Sequence, residues 1–182
     1  MVYVMEFYVD GGCRRNGYSN AIGAAAACLM SRTGKSFWTR TQILETDEYY
    51  ATNQRAEILA IIVTLQWALD KYDDLDGRPI VNVTIHSDSR YAVGCLSQWV
   101  YTWARNGWKN SRGNPIANDD LIQEASHLDD RVQALGNVDY VYIPRNENVN
   151  ADNKCNKALD NLENRYSSHE ENYPSSSSDE SW

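Results

Sequence analysis

Apolar positions run along this chain in blocks that change period, and the changes mark its elements. Residues 2–9 (Val-Tyr-Val-Met-Glu-Phe-Tyr-Val) are apolar almost without interruption, the pattern of a largely buried strand, and Asp10-Gly11-Gly12 is expected to end it. A polar loop follows over 13–20. The Ala24–Ala27 run within 21–31 suits a helix by propensity alone. The flanking loops and the β-rich Ser36-Phe37-Trp38-Thr39 beyond Gly34 favour a hairpin of two strands instead. Over 53–70 the period becomes helical, with Ile58, Leu59, Ile61, Ile62, Leu65, Trp67 and Leu69 as apolar positions and Thr52 placed to cap the N-terminus. A polar turn at 73–79 precedes a fourth strand at 80–87. A helix then carries Trp99 and Trp103, another spans 117–134, a fifth strand spans 138–143 and a last helix spans 150–166.

A strand meander followed by helix–strand alternation predicts an α/β fold: a five-stranded mixed sheet flanked by helices. The chain of 182 residues fits one domain over 1–166, with an expected disordered, Ser-rich and acidic tail at 167–182. Cys13, Cys28, Cys95 and Cys155 show no CxxC or metal-ligand spacing. With no signal-like N-terminus and no long apolar run, they read as free thiols of an intracellular, reducing compartment, in a protein with no membrane span.

The net charge of −8 argues against a generic nucleic-acid binder, but its distribution changes that picture. No acid occurs between Ser89 and Ala117, while Arg90, Arg105, Lys109 and Arg112 do. Much of the negative charge lies beyond Asp160. A local basic surface is therefore compatible with the acidic total.

The candidate chemistry lies in four carboxylates far apart in sequence. Asp10 follows the first strand, Glu57 heads the long helix, Asp88 follows the fourth strand and Asp152 heads the last helix. Ligands of open α/β sheets collect at strand ends, so one sheet edge can gather all four. Clustered carboxylates repel and stay ionised only with cations between them. Hard divalent ions suit such oxygen donors and keep waters for a phosphate substrate, which makes the set a candidate two-metal site for Mg²⁺, with Mn²⁺ as a substitute. Each acid also has an ordinary alternative. Asp10 can be a turn residue, Glu57 can answer the helix dipole, and Asp88 and Asp152 can be N-caps.

Five segments appear together and in order: Asp10-Gly11-Gly12-Cys13, Thr52-Asn53-Gln54-Arg55-Ala56-Glu57, Ser87-Asp88-Ser89, the Trp99 to Lys109 stretch with Trp103 and Asn106-Gly107-Trp108, and Arg145-x-x-Asn148-x-x-Ala151-Asp152. On these segments the chain resembles a type 1 ribonuclease H over roughly residues 3–162. The resemblance implies the ribonuclease H-like fold and a monomeric endonuclease that cuts the RNA strand of an RNA–DNA hybrid, leaving 5′-phosphate and 3′-hydroxyl ends. It implies that Asp10, Glu57, Asp88 and Asp152 hold two Mg²⁺ ions, with Asp10 bridging them. It also implies that Asn16, Asn53 and Gln54 contact base edges and sugars in the minor groove, where the 2′-hydroxyl distinguishes RNA from DNA. The backbone around Cys13 and Arg15 would face the RNA sugars. Tyr91, Trp99 and Trp103 would form a channel for the DNA strand, Thr52, Asn118 and Asn110 a pocket for a DNA phosphate, and Arg105, Lys109 and Arg112 a basic protrusion along the backbone.

Two positions depart from the family pattern. Many members carry a His in a longer loop before the last carboxylate; here the loop is short and Arg145 takes that place, as in a subgroup of the family. Arginine cannot shuttle a proton near neutral pH but can neutralise a phosphate. Tyr50 stands where some relatives place an Arg in the phosphate pocket. A separate N-terminal hybrid-binding domain, present in many eukaryotic relatives, is expected to be missing. A catalytically weak hybrid-binding module, a nuclease for duplex RNA and a retroelement-derived domain are the alternatives to the hybrid-cleaving reading.

Overall fold

The computed structural model describes residues 2–46 and 49–170, the side chains of 168–170 excepted. Its five strands are β1 (Val2–Arg14), β2 (Ile22–Met30), β3 (Phe37–Ile43), β4 (Ile80–Ser87) and β5 (Gly136–Tyr142), ordered β3-β2-β1-β4-β5. The first three form an antiparallel meander, while β4 and β5 run parallel to β1. The helices are α1 (Asn53–Asp73), α2 (Arg90–Gly94), α3 (Val100–Asn106), α4 (Asp119–Gln133) and α5 (Val149–Glu170), with a π-turn at Cys95–Trp99 joining α2 to α3. This is the expected five-stranded mixed sheet with helices on its faces.

Side chains alternate across the sheet. Met5, Phe7 and Val9 of β1 point, with Val81, Val83 and Ile85 of β4, into the main core under α1. The helix α1 is buried nearly all round, because it lies between the sheet and α4. The opposite face carries a second core of Ile22, Ala24, Ala26, Cys155, Leu159 and Leu162, where α5 lies on β1 and β2. Strand β2 is thus buried on both faces. That placement explains the alanine run: residues with almost no side chain let two helices pack on one strand.

Several boundaries differ from expectation. Strand β1 does not end at Asp10-Gly11-Gly12; it continues to Arg14, paired with β2 as far as Ile22. The glycines serve close approach and not a turn, since a β-carbon on Gly11 would lie 2.1 Å from the Ala56 carbonyl carbon. The last helix runs past Tyr166, so Ser167–Glu170 belong to α5 and not to an irregular tail. Residues 171–182, where the rest of that tail was expected, lie outside the described residues. The Thr52 cap forms as anticipated, its Oγ1 accepting from the Arg55 N–H at 3.2 Å.

Candidate active site

The parallel register pairs Val9 with Ser87, so Asp10 and Asp88 stand side by side on the face that α5 covers. Glu57 reaches them from the first turn of α1, because Gly11 lets that turn rest on β1. Asp152 arrives from the first turn of α5. All four acids line one cleft of about 380 Å³, together with Gly11, Gly12, Cys13, Arg14, Asn53, Arg145, Cys155, Asn156 and Leu159. The ordinary alternative for Asp88 fails on geometry: Ser89, not Asp88, caps α2, accepting from the Ala92 N–H at 3.1 Å.

Like charge and burial tune the acids. Burial, then Asp88, Asp152 and Glu57, push Asp10 up to about 7, against an opposing pull from Arg145. Glu57 is also raised, by burial above all, and the Ser89 hydroxyl that donates to its Oε2 moderates this. Asp88 accepts from Asn148 Nδ2 at 2.9 Å. Asp152 accepts from Arg145 Nη2 at 2.7 Å and from Asn156 Nδ2 at 3.1 Å. Among the described residues, no group donates a hydrogen bond to the Asp10 carboxylate. The donor set is all carboxylate oxygen and fits a hard divalent cation. No three acid, His or Cys side chains among the described residues are already closed around one position, because Glu57, Asp88 and Asp152 each turn toward a protein partner.

The remaining anticipated positions divide into three groups. Asn53 is in the cleft, its Oδ1 accepting from the Cys13 N–H at 2.8 Å and so pinning α1 to the end of β1. Arg15, Asn16 and Gln54 are exposed around that junction. Cys13 is raised mainly by burial, which keeps its thiol protonated. Along α2 and α3, the rings of Tyr91 and Trp99 lie 6.3 Å apart and those of Trp99 and Trp103 5.8 Å apart, with Trp99 42% exposed. The π-turn places Trp99 directly over Gly94, where a β-carbon would be 2.9 Å from the ring. Asn118 donates from Nδ2 to the Tyr91 hydroxyl at 3.0 Å, so the aromatic row and the start of α4 meet. Arg55 holds Asp120 through two bonds, at 2.8 and 2.6 Å, and thereby ties the Thr52 end of α1 to the Asn118 end of α4. Asn110 is engaged elsewhere: its Oδ1 accepts from the N–H groups of Arg112 and Asn114 within its own turn. Arg105, Lys109 and Arg112 are exposed around that turn. Tyr50 is exposed, and its neighbour Tyr49 stacks on the Arg55 guanidinium at 4.4 Å.

Residue-by-residue reading overlooked Ser89, Arg14, Asn156 and, above all, Asn148. The Asn148 side chain is buried and donates to both Val9 O and Asp88, joining two strands under the carboxylates. Its place in the Arg145-x-x-Asn148 segment was the available signal.

Comparison with known proteins agrees with this architecture. Residues 3–162 match the family model described as RNase H. The chain is 33% identical over 150 residues to the ribonuclease H of Dinoroseobacter shibae, an alignment covering 79% of this chain and 85% of that protein. Among solved structures, LC11-RNase H1 in complex with RNA/DNA hybrid superposes with a TM-score of 0.63 at 21% identity, covering 87% of this chain and 98% of the other. The RNase H1 of the halophilic archaeon Halobacterium salinarum does so with a TM-score of 0.55 at 23% identity, with the same coverage.

Proposed function

Because the chain belongs to the RNase H family, we propose that it hydrolyses the RNA strand of RNA–DNA hybrids, leaving 5′-phosphate and 3′-hydroxyl ends. The observation that carries this reading is the one cleft that gathers Asp10, Glu57, Asp88 and Asp152; burial first, and then the neighbouring acids, raise Asp10 to about 7 there, and a divalent cation would offset that repulsion. Asp10, Glu57, Asp88 and Asp152 would hold two Mg²⁺ ions, with Mn²⁺ as a substitute. Such ions lower the pKa of an attacking water and offset charge on the leaving oxygen.

The chain's own groups do the rest. To serve as ligands, Glu57 would turn from Ser89 and Asp152 from Arg145. The Arg145 side chain, 78% exposed even while paired with Asp152, would then be available to a phosphate, a task for which permanent charge suits it and proton transfer does not. Asn148 keeps Asp88 oriented. Asn53 and Gln54, with Asn16 and the backbone at Cys13 and Arg15, stand where the RNA minor groove would pass. Tyr91, Trp99 and Trp103 offer ring faces to the deoxyriboses of the other strand, and Thr52 with Asn118 a place for one of its phosphates. The fold likeness to LC11-RNase H1, which was captured with RNA/DNA hybrid, supports hybrid as the substrate class.

A labelled hybrid, a duplex DNA and a duplex RNA, each incubated with Mg²⁺ or with chelator, test the reading. Cleavage confined to hybrid with Mg²⁺ is expected. Hybrid bound but uncut in Mg²⁺ and Mn²⁺ would leave a binding module, and cleavage of duplex RNA instead would change the substrate.

A further inference from the structure

Glu163, on α5, takes two consecutive arginines at once. Arg14 Nη1 donates to its Oε2 and Arg15 Nη1 to its Oε1, both at 2.7 Å, while Arg14 Nη2 also reaches Asp160. Neighbouring residues of a strand point to opposite faces, so two can converge on one carboxylate only if the backbone turns between them. It does: Arg15 has a φ of 54°, in the left-handed region that non-glycine residues seldom occupy. Arg15 Nε then donates to Asn20 O at 3.0 Å, closing the turn that contains Asn16. Arg14 lines the carboxylate cleft, and Arg15 lines a second cavity of about 730 Å³ between that turn and α5. Helix α5 has a separate anchor, since Cys155, Leu159 and Leu162 pack in the second core.

We propose that Glu163 is a positioning residue that presents the Arg14–Arg15 pair at the rim of the cleft to the phosphates and sugars of the RNA strand. The role rests on the hybrid-cleaving reading above. Without Glu163, Arg15 would lose the contact that draws it beside Arg14, and the turn carrying Asn16 would lose its tie to α5. A carboxylate that helps bind a polyanion is contrary to plain electrostatics, and this makes the role separable from charge.

The test compares kcat and KM on a labelled hybrid with Mg²⁺ for the full chain and for Glu163→Gln and Glu163→Asp. Removing a negative charge near nucleic acid should by itself lower KM. Positioning predicts the opposite, a rise in KM of at least about threefold with kcat near the wild-type value. Glu163→Asp keeps the charge, shortens the reach and should raise KM as well. An unchanged or lower KM in both variants, with wild type active, overturns this role alone. A wild type that leaves hybrid uncut overturns the proposed function and this role with it.

Discussion

Gly11 and Ala56 meet backbone against backbone: a β-carbon on Gly11 would sit 2.1 Å from the Ala56 carbonyl carbon and 2.2 Å from the Glu57 nitrogen. This contact brings Asp10 of β1 beside Glu57 of α1. Gly11→Ala must push the helix off the strand, and overpacking against backbone has no cheap relief. We expect a loss of roughly 3 kcal/mol or more, about 10 °C in melting temperature, together with loss of cleavage. The neighbouring Gly12→Ala meets only the side-chain ends of Leu159 and Cys155, at 3.1 and 3.2 Å, and should be much milder. Thermal melts of the two variants check the contrast.

The same pair of residues shows what the sequence could and could not reveal. Strand β4 was legible from its alternation, and helix α1 from an apolar stretch too long for a strand that begins at a Thr52 cap. The end of β1 was not, because Gly-Gly signals a turn locally while its purpose here is set by a helix more than 40 positions later. The four carboxylates were legible as a set through their segments. Their present partners were not: that Asp88 leans on Asn148, Glu57 on Ser89 and Asp152 on Arg145 depends on where α1, α2 and α5 cross the sheet. The π-turn under Trp99 likewise has no local signature, since Gly94 matters only once the ring lies on it.

Asn148 is 1% exposed and donates at 2.8 Å to Val9 O and at 2.9 Å to Asp88. Truncation to Ala leaves a buried carbonyl and a carboxylate without this donor. Asn148→Ala should therefore destabilise by about 1–3 kcal/mol, and Asn148→Asp by more, because it adds a charge of the same sign beside Asp88. Cleavage rates and melts of both variants measure this.

In chelator, stability should fall as pH rises from about 5 toward 7.5. The native protein holds a proton on Asp10 up to about 7, whereas the unfolded chain releases it near the ordinary carboxylate value. Between those values the unfolded state binds fewer protons, so raising pH favours it. Asp70 and Asp120, lowered by Arg40 and Arg55, act in the opposite sense but in more acidic solution. Asp10→Asn should flatten this slope and raise stability at pH 7.5 by about 1–2 kcal/mol, less than the whole shift because water screens the cleft. Mg²⁺ should stabilise the wild type more at pH 7.5 than at pH 5.5. Melts across pH, with and without Mg²⁺, provide the readout.

Lys109 and Trp99 should weaken hybrid binding in different ways. Lys109→Ala removes an exposed cation and should reduce the slope of log affinity against log salt by about 1. Trp99→Ala removes an exposed ring face and should weaken binding by about 1–3 kcal/mol while leaving that slope unchanged. Binding measured in Ca²⁺ over a range of salt separates the two.

The carboxylate cleft itself is tested most directly by following both strands of one hybrid, RNA and DNA labelled separately, with wild type and Asp10→Asn in Mg²⁺. Wild type should cut only the RNA strand, giving 5′-phosphate and 3′-hydroxyl ends, and Asp10→Asn should bind the hybrid yet leave it whole. Wild-type protein that leaves the RNA strand intact, or an Asp10→Asn variant that cuts it as fast as wild type, would contradict the assignment.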